Sequence, residues 1–214
     1  MSTIFGVAVS PFVRKAILAH AYKGVQFEIK MLPPGDEDAE FRQASPLGKI
    51  PGYKTDNGAL FSDSSVIIAY LEKVHAENPL YPENPESLAR ALWFEEYADS
   101  KLAEACNALY FQLIVGPKFF GHSPDENRII EIRKQLLPET FNYLNSQMSA
   151  GQWLIDNEFS VADIAVGAFL INLEHAQYEI DSSSYRNLAD FYQRFVAFEF
   201  VQAQLNIEKG ILFN

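Results

Sequence analysis

The spacing of apolar residues changes period partway along the chain, and that change divides it in two. Residues 4–9 form a continuous apolar run, the pattern of a strand buried on both faces. Ser10-Pro11 follows it. Serine is a favoured helix N-cap and proline suits the first helical position, so a helix is predicted to about Lys23, with Gly24 as its stop. Val25, Phe27, Ile29 and Met31 then alternate with Gln26, Glu28 and Lys30, which predicts a strand of period two. Pro33-Pro34-Gly35 ends it, and an acidic stretch from Asp36 leads into a short helix ending near Ala44. Residues 52–55 and 59–61 flank Asp56-Asn57-Gly58, a hairpin signal. Ile67, Tyr70, Leu71 and Val74 carry the i, i+3, i+4, i+7 spacing of a helix. The order strand-helix-strand-helix-strand-strand-helix describes a compact α/β unit.

Residues 80–86 (L-Y-P-E-N-P-E) hold two prolines and no periodicity, and read as a linker between units at 1–79 and 87–214. Everything beyond has helical spacing. Leu102, Ala105, Leu109 and Leu113 mark one face, and Ile130, Leu137, Phe141, Leu144 and Met148 another, with Pro138 predicted to kink or break that helix. Leu188, Phe191, Tyr192 and Phe195 repeat the pattern. Residues 160–163 (S-V-A-D) form a capping box with aspartate in place of the usual glutamate or glutamine.

Composition narrows the functions available. A formal net charge of −11 disfavours nucleic acid and anionic membrane as partners, since both need a basic face. The single cysteine, Cys106, rules out an internal disulfide and reads as a buried apolar residue of a helix. No apolar run approaches the roughly 20 residues that span a bilayer, and no leader-like opening is seen, so a soluble, cytoplasmic protein is expected. The histidines (His20, His75, His122, His175) lie too far apart for metal-ligand spacing and are expected at the surface or in packing. No Walker loop, nucleophile elbow or dinucleotide fingerprint occurs. Arg14 and Lys15 stand in the first turns of the first helix, where positive charge opposes the helix dipole; they read as solvated surface charges, or as the sign of a nearby anion.

Four segments carry a more specific signal: S-P-F-V-R-K at 10–15, S-P-L-G-K-I-P at 45–51, F-S-D-S at 61–64 and S-V-A-D at 160–163. Each alone is weak, but in this order and spacing the chain resembles the cytosolic glutathione S-transferase family along essentially its whole length, in its serine-type, bacterial or tau-like form. The resemblance implies an α/β thioredoxin-like N-terminal domain followed by an all-α helical C-terminal domain. It implies transfer of glutathione, as thiolate, to hydrophobic electrophiles, with glutathione as co-substrate, no other cofactor and no metal. Ser10 would donate a hydrogen bond to the glutathione sulfur. Ile50, before a cis Pro51, would pair through its backbone with the cysteinyl residue, and Lys49 would meet a carboxylate. Ser64 would hold the γ-glutamyl carboxylate and Asp63 the α-amino group, where the family commonly has glutamate or glutamine before the serine. A lysine for the glycyl end is missing from residues 36–40, leaving Arg42 as a substitute. Phe12, Tyr110, Phe111 and Phe119 would line the cleft for the second substrate, and Trp93 and Tyr97 would contribute to a homodimer. Peroxide reduction or isomerisation in the same site, or a non-catalytic protein-binding role, are the alternatives.

On local grounds alone Ser10 also fits a plain helix cap, Lys49 an exposed lysine, and the four aromatics core packing. The chemistry asked of Ser10 is modest. Lowering a thiol pKa of about 8.5 by two units takes about 2.7 kcal/mol. One hydrogen bond to a charged group supplies roughly 1.5–3 kcal/mol and a helix N-terminus some 0.3–1.

Overall fold

The computed structural model describes residues 1–213. Its amino-terminal unit contains β1 (Ser2–Phe5), α1 (Pro11–Lys23), β2 (Phe27–Lys30), α2 (Ala39–Ala44), β3 (Gly52–Lys54), β4 (Leu60–Ser62) and α3 (Ser64–Val74). The sheet order is β2-β1-β3-β4, with β1 parallel to β2 and antiparallel to β3, and β3 antiparallel to β4. Side chains alternate across it. Ile4 and Tyr53 join Val13, Ile17, Ile67 and Leu71 of α1 and α3 on one face, while Phe5 packs with Phe41 and Ala44 of α2 on the other.

The apolar run at 4–9 is a strand only as far as Phe5. Gly6 ends it because the chain passes too close to its neighbours for a side chain: a Cβ there would lie 2.6 Å from Val13 Cγ2 and 3.2 Å from Ile50 Cβ. Residues 7–9 form a turn into α1, which stops at Gly24 with φ 69°. His20, fully buried in α1, lies against the Ala16 carbonyl through Nδ1 (2.7 Å) and the Tyr53 hydroxyl through Nε2 (2.9 Å). Burial pushes its pKa down to about 4.

The remainder is helical: α4 (Pro85–Tyr97), α5 (Ala103–Tyr110), α6 (Glu126–Glu131), α7 (Leu137–Gln147), α8 (Val161–His175), α9 (Arg186–Val196) and α10 (Glu199–Phe213). Wider π-type turns cover Ala98–Leu102, Phe111–Phe120 and Ile132–Leu136. Pro138 breaks nothing: the chain stays helical through it, because the preceding turns already bond i to i+5. Ile129 and Ile132 face the core and Ile130 is exposed, one residue off the predicted stripe.

Helix α8 is the axis of this half, buried along nearly its whole length. Phe195 packs on Gly167, where a Cβ would sit 2.3 Å from the ring. Asp163 closes the start of α8. It accepts the Ser160 N–H (2.9 Å), the Ser160 hydroxyl (3.0 Å) and the Leu154 N–H (3.0 Å). Burial pushes its carboxyl up to about 6 against the pull of those bonds.

Arg14 and Lys15 are not surface charges; both side chains are wholly buried and paired with acids from the helical half. Lys23 secures the connection between the halves, donating to the carbonyls of His75, Glu77 and Asn78 and pairing with Glu72 at 2.8 Å. No helix is long and apolar enough to cross a membrane among the described residues. Nor do they bring three histidine, cysteine, aspartate or glutamate side chains together as a metal site.

Candidate functional site

Three segments converge at one end of the sheet. Phe5 is opposite Gly52 and Gly52 opposite Ser62, so the turn after β1, the loop before β3 and the turn after β4 share one edge. The Asp63 N–H donates to the Pro51 carbonyl at 3.2 Å, and Gly6 approaches Ile50. The Ile50-Pro51 peptide is cis. Its loop is fixed from within by Ser45, whose hydroxyl donates to the Lys49 carbonyl at 2.6 Å. No hydrogen bond engages the N–H or C=O of Ile50 among the described residues. Lys49 is exposed and, among the described residues, makes no ion pair. Arg42 is engaged elsewhere, donating to the Gly35 carbonyl and pairing with Glu37, each at 2.5 Å.

At the start of α3, Asp63 has φ 86°, a conformation that costs a non-glycine residue energy and clusters at ligand sites. Its Oδ1 accepts from the N–H groups of Ser65 (2.9 Å) and Val66 (3.3 Å). The Ser64 hydroxyl is buried and, among the described residues, has no partner. Below this turn Lys15 Nζ lies 2.7 and 2.8 Å from the Asp99 carboxylate, 3.2 Å from Glu95 and 3.3 Å from the Ser65 hydroxyl. One lysine thus faces two acids, which leaves a local negative charge that suits an ammonium group.

Ser10 caps α1 through its backbone (φ −76°, ψ 129°), and its hydroxyl makes no capping bond. The residue is half-buried. With proline at the first helical position and no acid in the first turn, the N-terminal end of α1 keeps its attraction for an anion.

The four aromatics expected in a cleft fall in different places. Phe12 packs edge-on against Phe169 between α1 and α8, with ring centroids 5.2 Å apart. Tyr110 is buried, its hydroxyl 3.4 Å from the Val9 carbonyl. Phe111 is 40% exposed and groups with Phe120 and His122, while Phe119 is 48% exposed. A wall the sequence did not single out stands beside Val9, made by Val7, Ile114, Val115 and Ile211 around Tyr110 and Leu212. Each of those residues belongs to a generic apolar run, so no local spacing marks it.

Comparison with known proteins agrees with this geometry. A family model described as "Glutathione S-transferase, N-terminal domain" matches residues 4–79, and one described as "Glutathione S-transferase, C-terminal domain" matches residues 114–206. Among curated proteins, a maleylacetoacetate isomerase of Dictyostelium discoideum is 26% identical, over 87% of this chain and 85% of the relative. An elongation factor 1-gamma of Danio rerio is 27% identical, over 73% of this chain but only 35% of its own length. The solved glutathione S-transferase from Sinorhizobium meliloti 1021 superposes with a TM-score of 0.84 at 22% identity, over 96% of this chain and 92% of that one. The paired domain matches, the mixed four-stranded sheet and the helical half that follows it make this chain a member of the cytosolic glutathione S-transferase family.

Proposed function

We propose that the protein is a serine-type glutathione S-transferase, in which Ser10 holds the glutathione sulfur as thiolate for attack on a hydrophobic electrophile. The observation that carries this reading is the Ser64 hydroxyl, buried without a partner at the start of α3. An unmet buried hydroxyl costs about 1–3 kcal/mol, and a carboxylate docked at that helix end removes the cost. The γ-glutamyl carboxylate fits there, with its α-ammonium toward Asp63 and the acids around Lys15. The unengaged backbone of Ile50 suits strand-like pairing with the cysteinyl residue, which directs its sulfur toward Ser10. Lys49 is the cation for the glycyl end, since Arg42 is occupied by Gly35 and Glu37.

In the reaction the thiol proton leaves to solvent, the sulfur forms a bond to the electrophilic carbon, and the leaving group departs with its electron pair. The protein contributes orientation and stabilisation of the anion. The wall of Val7, Ile114, Val115 and Ile211 is the surface for the apolar co-substrate. No cofactor beyond glutathione is part of this reading. A cytoplasmic homodimer joined through α3 and α4 is part of it, supported by the exposed Val66, Leu92 and Trp93; sedimentation at micromolar concentration tests that assembly.

Glutathione-dependent isomerisation in the same pocket is a second reading, favoured by the likeness to the Dictyostelium isomerase. The likeness to elongation factor 1-gamma favours a third, a partner-binding protein without catalysis. Retention on immobilised glutathione separates the third from the others, and a protein that flows through rejects both enzymatic readings. Ser10→Ala then decides the chemistry. Conjugation of a chloronitrobenzene at neutral pH should fall about 10- to 100-fold, the value of one hydrogen bond to a charged group. An unchanged rate removes Ser10 from the mechanism.

A further inference from the structure

The turn that carries Ser10 is held from behind by α10. Arg14, one helical turn beyond Ser10, is fully buried and lies against Glu208 of α10 in a two-point contact, Nε to Oε1 at 2.7 Å and Nη2 to Oε2 at 2.5 Å. Its remaining donors reach Asn172 Oδ1 (2.8 Å), the Ala168 carbonyl and the Val9 carbonyl (3.4 Å). Burial opposes the charge on Glu208, but Arg14 outweighs it and holds that carboxyl below its ordinary range. His175 Nε2, 2.7 Å from Glu208 Oε2, must donate, because an ionised carboxylate only accepts.

Gln204, one turn earlier on α10, links this cluster to the turn itself. Its Nε2 donates to Glu208 Oε1 at 2.6 Å and to the carbonyl of Ala8 at 3.1 Å. The next carbonyl, Val9, receives Arg14 and the Tyr110 hydroxyl, each at 3.4 Å. Both peptide carbonyls immediately before Ser10 are therefore fixed by side chains, and all the side chains except Arg14 come from the helical half. Gln204 is itself buried and held by a carboxylate that Arg14 locks in place. The anchor is rigid, whereas the hydroxyl it precedes has no capping bond of its own.

We propose that Gln204 is a positioning residue for Ser10: through the Ala8 carbonyl it sets where the serine hydroxyl meets the glutathione sulfur. This rests on the reading of Ser10 as the thiolate's hydrogen-bond donor. Gln204 touches neither glutathione nor the second substrate in that reading, so its influence passes through backbone alone. A displacement of about 1 Å in such a contact is enough to lower a rate severely.

The test uses the full-length protein and glutathione, following the ultraviolet absorbance of bound thiolate and the pH profile of chloronitrobenzene conjugation. Gln204→Met keeps the length of the side chain and removes its donor. The apparent pKa of the bound thiol should rise by about one unit, giving a roughly threefold loss at neutral pH that grows toward about tenfold in acid and disappears under alkaline conditions. The KM for glutathione should stay within about twofold, because the peptide's other contacts are untouched. If Gln204→Met does not fold, Tyr110→Phe removes one of the donors to Val9 and should move the profile in the same direction by less. A profile that keeps its pKa, or drops by the same factor at every pH, overturns the positioning role while leaving the thiolate site intact. A wild-type protein that is folded, yet develops no thiolate absorbance with glutathione, overturns the reading on which it rests.

Discussion

Among the described residues, two helices take a serine as their N-cap, α1 and α8, and they treat it in opposite ways. At the start of α8, Ser160 is closed off: Asp163, three residues on, accepts its N–H and its hydroxyl, and the Leu154 N–H besides. At the start of α1, Ser10 is followed three residues later by Val13, and its hydroxyl makes no capping bond. The difference is one side chain at the third helical position. An acid there neutralises the helix end from within and makes a structural joint. An apolar residue there leaves the end open to an anion from outside. Serine before a helix therefore does not itself mark a site; the residue three places later decides which kind of start it is.

That contrast can be broken most forcefully at α8. Asp163→Ala leaves two N–H groups and a hydroxyl without their acceptor in a buried place, and should destabilise the fold by about 3 kcal/mol in urea unfolding. Glutathione affinity of the folded protein should not change. A folded Asp163→Ala protein with weakened glutathione binding would erase the distinction between joint and site.

Titration gives an effect of similar size in the amino-terminal half. His20 has a folded pKa of about 4, below the ordinary 6.5. The unfolded chain takes up a proton that the folded one refuses, so the neutral ring's contribution is present above pH 6.5 and is lost as pH falls toward 4. Compared with His20→Gln, wild type should lose about 3 kcal/mol more across that window. Asp163, whose folded pKa is raised to about 6, loses its contribution in the other direction as pH rises, but it is common to both proteins and cancels in the difference. Parallel pH curves for the two would mean that His20 is charged in the fold.

Smaller effects sharpen the open helix starts. Ser10→Ala should change the unfolding midpoint scarcely at all, because the lost hydroxyl caps nothing, and a loss above about 1 kcal/mol would make Ser10 a cap after all. Ser64→Ala should weaken glutathione binding about tenfold, read by calorimetry, with stability unchanged or slightly higher, since it removes a buried group that has no partner.

Much of this was legible because the signals are local. The Ser10-Pro11 start, the Gly24 stop, the Asn57-Gly58 turn and the box at 160–163 each lie within a few residues, and each was read with the element it belongs to. The segments at 10–15, 45–51 and 61–64 stand out in sequence through motifs whose order matters, and the fold brings them to one edge of the sheet. What failed depends on partners far along the chain. Arg14 and Lys15 read as solvated charges, or as the sign of a nearby anion, because nothing close in sequence offers them a countercharge; their acids lie 194 and 84 residues away. The Ile129-Ile130 pair shows a different limit, since two adjacent apolar residues leave a helical stripe uncertain by a full position. The wall beside Val9 was invisible for a third reason: it is assembled from three separate apolar stretches, and only their meeting makes it a surface.

The burial of Arg14 and Lys15 has a consequence for how this protein can be dissected. Both sit on a helix that, by sequence, belongs with the sheet, yet their counterions Glu208 and Asp99 belong to the other half. A fragment cut after α3 would strip both cations of their acids and uncover the apolar face of α1 beside them. The amino-terminal half is thus no portable cassette: it is finished by α10, far along the chain from α3, and an interrupted chain would release an unstable stump in place of a smaller folded protein.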